Sequence, residues 1–186
     1  MGNKAVRYLL LGQVSLFGFT LLCVLLMPHF LLERNEGGVS NYGLYAKTVV
    51  PYTLAFGLCG LLTLWSARFM AKENRAFGMA LAGLGILLIA ALLSTYPYKV
   101  NDTFNTIHVD IGTALAFVEL GLGIWFTLFL ARDIKNILFL AIQIIGFVLG
   151  ILTHFGVIHI LFVTEMLTSV AFGIILVRTA SQLTET

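Results

Sequence analysis

The segment AFGMALAGLGILLIAALLSTYPY, residues 76–98, contains no Asp, Glu, Lys or Arg. A helix needs about 20 apolar residues to cross the hydrocarbon core of a bilayer, at a rise of about 1.5 Å per residue. This segment is long enough and apolar enough to do so. It predicts a transmembrane helix, and the rest of the chain repeats its pattern.

The composition of the whole chain agrees with a membrane location. Hydrophobic residues make up 59% of the 186 positions and charged residues only 11%. A soluble domain carries roughly 25% charged residues, because its surface has to be wet. The sequence therefore predicts one integral membrane domain over residues 1–186, with no soluble domain attached. The net charge of +2 gives no reason to expect nucleic acid as a partner.

Six spans account for the hydrophobic pattern. The fourth is interrupted only by Glu119, and the last two are separated by the motif HFGVIH at residues 154–159. Two full crossings fit the length of that final apolar region better than a re-entrant pair. The prediction is an all-α, polytopic transmembrane helical bundle, located in the cell membrane, with spans at approximately 8–32, 48–67, 76–96, 109–131, 134–153 and 158–177.

Basic residues in the connections predict the orientation. With the N-terminus inside, the cytoplasmic segments hold eight Lys and Arg residues and the outer loops hold three. Cytoplasmic loops carry the excess of basic residues, so both termini are expected in the cytoplasm. The four histidines then lie at the outer side. Any site that opens to water is expected to open outward.

The cysteines and glycines have structural interpretations. Cys23 and Cys59 fall inside apolar runs, where free cysteine behaves as a small buried hydrophobic residue. Glycines within spans allow helices to approach closely. This role is predicted for Gly78, Gly83, Gly85, Gly112, Gly121, Gly123, Gly146 and Gly150.

Two carboxylates within the predicted spans are the main candidates for function. A charge at the centre of a membrane helix costs about 2.5–3.5 kcal/mol on insertion scales, so such residues face the bundle interior and find partners. Glu119 shares a helix face with His108, eleven positions earlier, at a separation of roughly 16 Å. Glu165 is followed by Thr168 and Ser169 on its own face. Both carboxylates are ligand, ion or proton sites, neutral packing residues, or contacts to a partner subunit.

The predicted ligand-binding set adds outer residues above these carboxylates. It comprises His108, Asp110, Glu119, Glu165, Tyr98 and Ser40. A metal site is not predicted, because zinc needs three or four converging ligands and no zinc-binding spacing is present. The histidines from which such a site would be built are His108, His154 and His159. No cofactor is expected.

Two short segments resemble a known family. The loop GVSNYG at residues 38–43 resembles the I-S-D-x-G loop of a bacterial and archaeal six-span family of unknown function, itself similar to the Frag, DRAM and Sfk membrane proteins. Pro97 followed by His108 is similar to the P-x-D…H segment of that family. Asn41 replaces a typical Asp, and Tyr98 replaces the acidic residue. The resemblance implies six helices and a membrane location. It carries over to Ser40, Pro97 and His108, and implies no activity.

Three functions are compatible with the sequence. The first is binding, sensing or transport of a lipid or small solute through an outward-facing cavity, with membrane lipids as partners. The second is a non-catalytic accessory subunit that docks on a membrane-protein partner or on a second copy of the chain. The third is an intramembrane, metal-dependent lipid hydrolase. No nucleophile motif or phosphate-binding loop supports an enzyme.

Overall fold

The computed structural model describes residues 2–28, 38–96 and 102–185, and over these ranges the chain is helical without strands. Six helices are long and apolar enough to cross a membrane, as expected of a multi-pass membrane protein. They are α1 (Gly2–Leu26), α2 (Val49–Glu73), α3 (Arg75–Thr95), α4 (Asp102–Trp125), α5 (Ile134–His154) and α6 (Leu161–Glu185). A 3₁₀ helix at Val39–Leu44 precedes α2, and a π-helix at Phe126–Leu130 extends α4.

Short capped turns make successive helices antiparallel. Asn74 alone separates α2 from α3, and its side chain accepts a hydrogen bond from the Phe77 N–H at 2.9 Å. Asp133 caps α5 in the same way, accepting from the Lys135 N–H at 3.2 Å. Asn and Asp are favoured at this position because their side chains satisfy an N–H group that the first helical turn leaves free.

Interhelix hydrogen bonds mark the two ends of the bundle. At the end that carries Gly2 and Glu185, called the terminal end, the Ser66 hydroxyl of α2 donates to the Ala5 carbonyl of α1 at 3.0 Å. At the opposite end, called the loop end, the hydroxyls of Tyr52 in α2 and Thr95 in α3 lie 2.8 Å apart. Helix α2 therefore packs against both α1 and α3. Which end faces the cytoplasm stays a prediction from the basic residues.

Packing is uneven across the bundle. In the most apolar window of α3 and of α6, 44% of residues are buried, but only 22% in α4 and 17% in α5. Glycine allows α2 and α3 to approach closely, since a Cβ on Gly85 of α3 would lie 3.0 Å from the Gly60 carbonyl oxygen of α2. Helices α4 and α5 instead expose most of their apolar side chains, and lipid is the medium that suits such a surface.

The six-span helical bundle predicted from the sequence is confirmed. The apolar region after residue 134 forms two separate helices, with Gly156 between them at φ +71°. Gly156 and Val157 donate to the Thr153 and Leu152 carbonyls at 3.0 and 2.9 Å, a glycine-dependent way of ending a helix.

The helix bounds differ from the predicted spans. Helix α2 continues to Glu73 and α6 to Glu185. The predicted spans follow the apolar runs, whereas a helix can continue into polar residues outside the hydrocarbon core. Helix α4 begins at Asp102, earlier than the predicted residue 109. The predicted end of the first span, at residue 32, lies outside the described residues.

Candidate functional site

Glu119 lies in the interior of the bundle, where α4, α5 and α6 meet. Its side chain is only 6% exposed, and its Oε2 accepts a hydrogen bond from the Ser169 hydroxyl of α6 at 3.1 Å. Its backbone carbonyl accepts from the Gln143 side-chain amide of α5 at 3.0 Å. Gly123, one turn further along α4, makes room for this amide, since a Cβ there would collide with Gln143 Oε1. Polar contacts thus join three helices around one carboxylate.

Glu165 occupies the next turn of α6 toward the loop end. Its Oε2 accepts a hydrogen bond from the backbone N–H of Val39 at 2.6 Å. A Cβ on Gly38 would collide with both carboxylate oxygens, so a larger residue here would push the Glu165 carboxylate away from the Val39 N–H. Ser169, which donates to Glu119, lies one helical turn after Glu165 on α6, so the two carboxyl groups of Glu119 and Glu165 are close to each other. Among the described residues, neither has a Lys, Arg or His partner.

The short segment that covers Glu165 is itself packed into the bundle. We call residues 38–44 the cap segment. Tyr42 is fully buried and makes an edge-to-face contact with Phe162 of α6, with ring centroids 5.9 Å apart. Its carbonyl accepts from the Thr48 hydroxyl at 2.6 Å. Burial, and secondarily the nearby Cys23, raise the pKa of Tyr42 to about 12, so the phenol is neutral. The cap segment closes the loop end above Glu165.

The polar interior continues from Glu119 toward the terminal end. Cys59 of α2 accepts a hydrogen bond from the Gln13 side chain of α1 at 3.7 Å. Within the described residues, the buried hydroxyls of Thr127 and Thr179 have no hydrogen-bond partner. Buried polar groups are nearly always partnered, so this interior differs from an ordinary apolar helix contact.

The structure brings some predicted site residues together and separates others. Glu119 and Glu165 are brought close through Ser169, and Ser40 lies half-buried in the cap segment. His108 instead faces α3, where its Nδ1 lies 3.0 Å from the Ser94 hydroxyl. Asp110 is exposed. Tyr98 lies outside the described residues, as does Pro97.

The described histidines at the loop end are His108, His154 and His159. His154 and His159 flank the α5–α6 turn and line an open hollow of about 310 Å³. In the part of the chain that the structure describes, no three His, Cys, Asp or Glu side chains are placed to share a metal ion. The described residues therefore provide no metal site for the hypothesised metal-dependent hydrolase.

No known family model, curated protein or solved structure matches this chain. The resemblance to the six-span family therefore stays a prediction from the sequence, and the candidate site has to be understood from its own geometry.

A polar cluster at the terminal end was not predicted from the sequence. Arg178 of α6 donates to the Asn136 side-chain oxygen at 2.9 Å and pairs with Asp133. Asn136 is fully buried and donates to the Ala131 carbonyl at 2.9 Å. The only sequence signal was Asp133 directly before an apolar run, which is typical of a helix N-cap. This cluster fixes α6 against the α4–α5 connection.

We expect acid to weaken this cluster through Asp133. The hydrogen bond from the Lys135 N–H, and then the Arg178 guanidinium, hold the pKa of Asp133 below its ordinary value of 3.8. A carboxyl group with a lowered pKa stabilises the fold above its unfolded-state pKa, and this contribution is lost as the pH falls through the folded-state pKa. Wild type should therefore melt at a higher temperature than Asp133→Asn at about pH 6, with the difference shrinking by about pH 3.

The exposed Asp110 supplies the control for this measurement. Asp110→Asn should leave the melting temperature in detergent unchanged at both pH values, because its side chain is exposed. A difference between wild type and Asp133→Asn that is equally large in acid and at neutral pH would contradict the proposed role of the ionised carboxylate.

Proposed function

We propose that this protein binds, senses or transports a small solute in a proton-linked manner, with Glu119 and Glu165 as the proton-holding site. One observation carries the proposal: the buried Glu119 and the half-buried Glu165 lie close together in a membrane bundle, linked through Ser169 one turn from Glu165, without a basic partner among the described residues. Two like charges repel strongly in a medium of low dielectric constant. The pair is therefore expected to retain a proton or take up a cation, and intramembrane acids commonly serve in proton relays.

The hydrogen bonds around the pair suit a proton-holding role. Ser169 and the Val39 N–H donate to the two carboxyl groups, which stabilises whichever oxygen carries negative charge. A hydroxyl group can both donate and accept. Ser169 can therefore donate to an ionised carboxylate or accept a hydrogen bond from a protonated one. Protonation of either carboxyl group would change which of these bonds forms. Solute binding at the loop end could couple to that change through the cap segment.

Displacement of the cap segment is the proposed route of access to the carboxyl pair from the loop end. One backbone hydrogen bond to Glu165 and the contact between Tyr42 and Phe162 hold it over the pair. Displacing it would expose Glu165. If the loop end faces outward, as the basic residues predict, the site opens away from the cytoplasm.

Infrared spectroscopy of the purified protein tests the proton-holding site. The stretching band of a protonated carboxyl group should be present at about pH 7, where ordinary Asp and Glu side chains are ionised. It should weaken in Glu119→Gln or Glu165→Gln and disappear in the double variant, while Asp110→Asn leaves it unchanged. Absence of the band in wild type, or its persistence in the double variant, would exclude this site.

Proton movement is tested in phosphatidylcholine vesicles that contain a pH-sensitive dye. An imposed membrane potential should drive proton entry when candidate solutes are added to vesicles with wild-type protein. In Glu119→Gln the rate should fall to that of protein-free vesicles. Solute-dependent proton entry that is equal in wild type and Glu119→Gln would count against proton linkage through this residue.

A second candidate is an accessory subunit, favoured by the sparse packing of α4 and α5. Their exposed apolar faces are suitable for contact with another membrane protein. Crosslinking in native membranes followed by native mass spectrometry tests this function. A protein that stays monomeric in both measurements would remove it.

A further inference from the structure

An apolar groove of about 380 Å³ runs between α3 and α4. Its α3 wall includes the small residues Ala80, Gly83 and Ala90, and its α4 wall is formed by Val118 and Leu122. Both helices are candidate membrane spans, so the groove lies within the hydrocarbon region. It is separate from the contacts that join Glu119 to α5 and α6.

Gly83 keeps this groove deep without serving helix packing. A Cβ on Gly83 would meet no atom within 4 Å, whereas a Cβ on Gly78 of the same helix would lie 2.5 Å from the Ala71 backbone of α2. Glycine in a helix interior is unfavourable compared with alanine, unless close packing or function requires it. Packing does not require Gly83. The space that it leaves belongs to the groove.

A polar pair joins α3 and α4 on the loop-end side of the groove. Ser94 lies one helical turn beyond Ala90, and its hydroxyl is 3.0 Å from His108 Nδ1 of α4. The two walls of the groove are thus joined by polar side chains where α3 approaches the membrane surface. From Ala80 to Ala90 the groove extends about 15 Å at helical rise. This stretch is the middle of α3, and Ser94 lies about 6 Å beyond it toward the loop end.

We propose that this groove binds one acyl chain of a phospholipid, with the headgroup beside Ser94 and His108. An opening of this size within the hydrocarbon cannot stay empty without losing contacts on every wall, and the medium around it consists of acyl chains. Because the groove is open along its side, one chain can enter while the second stays in the bilayer. A phospholipid meets this geometry, since it carries its polar group at the end of the chain where the polar pair lies.

Retention of lipid through purification tests this site. Wild type purified in a mild detergent should keep about one phospholipid per chain, measured by native mass spectrometry and by lipid extraction. Gly83→Phe should lower the retained lipid by about tenfold or more, because each methylene group displaced from an apolar site weakens binding severalfold. Gly83→Leu, with a smaller side chain, should give an intermediate loss.

Gly18→Phe provides the matched control. Gly18 lies on α1, and a Cβ there also meets no atom within 4 Å, but it does not line the groove. This variant should retain phospholipid as wild type does. Melting temperatures of all variants in the same detergent separate lipid loss from unfolding.

Three outcomes would overturn the proposal. They are wild type that retains no lipid, Gly83→Phe and Gly83→Leu that retain as much as wild type, and Gly18→Phe that loses as much as Gly83→Phe. Recovery of free fatty acid in place of phospholipid would overturn the assigned source of the acyl chain. The infrared band of the carboxyl pair should be the same in Gly83→Phe and wild type, so failure of either proposal is visible without the other.

Discussion

Replacing Gly78 with alanine is expected to destabilise the bundle by about 2–3 kcal/mol, because it forces apart two helix backbones that are in direct contact. A Cβ on Gly78 would lie 2.5 Å from both the Cα and the N of Ala71. These are backbone atoms, and no side-chain rotation relieves the clash. Asn74 alone connects the two helices, so they have little freedom to separate at this point.

The matched control is the same substitution at Gly83, five residues further along α3. Its added Cβ meets open space, and alanine is the better helix former by about 0.8–1 kcal/mol. Gly83→Ala should therefore be as stable as wild type or slightly more stable. Both variants are to be compared by reversible unfolding in mixed micelles. Equal stability of the two variants would show that α2 and α3 are not held as closely as the structure describes.

The contrast between these glycines shows what sequence reasoning can reach. A membrane location, six spans and the break before α6 all follow from runs of apolar residues without charge, which depend on composition alone. The role of each glycine depends on which face of its helix meets a neighbour. The prediction that these glycines allow close helix contact fits Gly78, Gly85, Gly123 and Gly146. At Gly150 an added Cβ would be in ordinary contact with Thr164, at 3.6 Å from its hydroxyl oxygen. The prediction is wrong for Gly83, Gly112 and Gly121, which face open space.

The candidate site shows a similar division. Glu119 and Glu165 could be selected from the sequence because a carboxylate in an apolar run is rare and costly. Ser169 could be recognised as part of a polar helix face, because it lies one turn after Glu165. The Val39 N–H could not be recognised, since it lies 126 residues away and a backbone group has no sequence signature. His108 shares the face of Glu119, but its ring hydrogen-bonds to Ser94 of α3 and not to the carboxylates.

The charged cluster at the terminal end was missed for a different reason. Arg178 and Arg132 both belong to the eight basic residues of the cytoplasmic segments that predict the orientation. Their side chains differ in the structure: Arg178 contacts Asp133 and the buried Asn136, whereas Arg132 is exposed. Counting charges treats both residues alike, so it cannot distinguish a residue that fixes helix packing from one that only meets water.

Replacing Glu165 with alanine is expected to release the cap segment from α6. The Val39 N–H would lose its acceptor at a buried position, which costs about 1–3 kcal/mol. Gly38 would also lose the carboxylate against which its backbone packs. Glutamine at the same position keeps a side-chain oxygen that can accept from Val39, so Glu165→Gln should hold the segment in place. The two variants separate the loss of charge from the loss of the hydrogen bond.

Thiol labelling measures this release and the predicted orientation in one experiment. Ser40→Cys places a reactive group in the cap segment, while the native Cys23 and Cys59 are 1% and 0% exposed and should react little. With a membrane-impermeant maleimide, the labelling rate should rise about tenfold or more in Glu165→Ala and change little in Glu165→Gln, because opening of the segment limits access. In intact cells this labelling should occur from outside, because the loop end is predicted to face away from the cytoplasm. Equal rates in the alanine and glutamine variants would mean that the Tyr42–Phe162 contact, and not the Glu165 hydrogen bond, holds the segment closed.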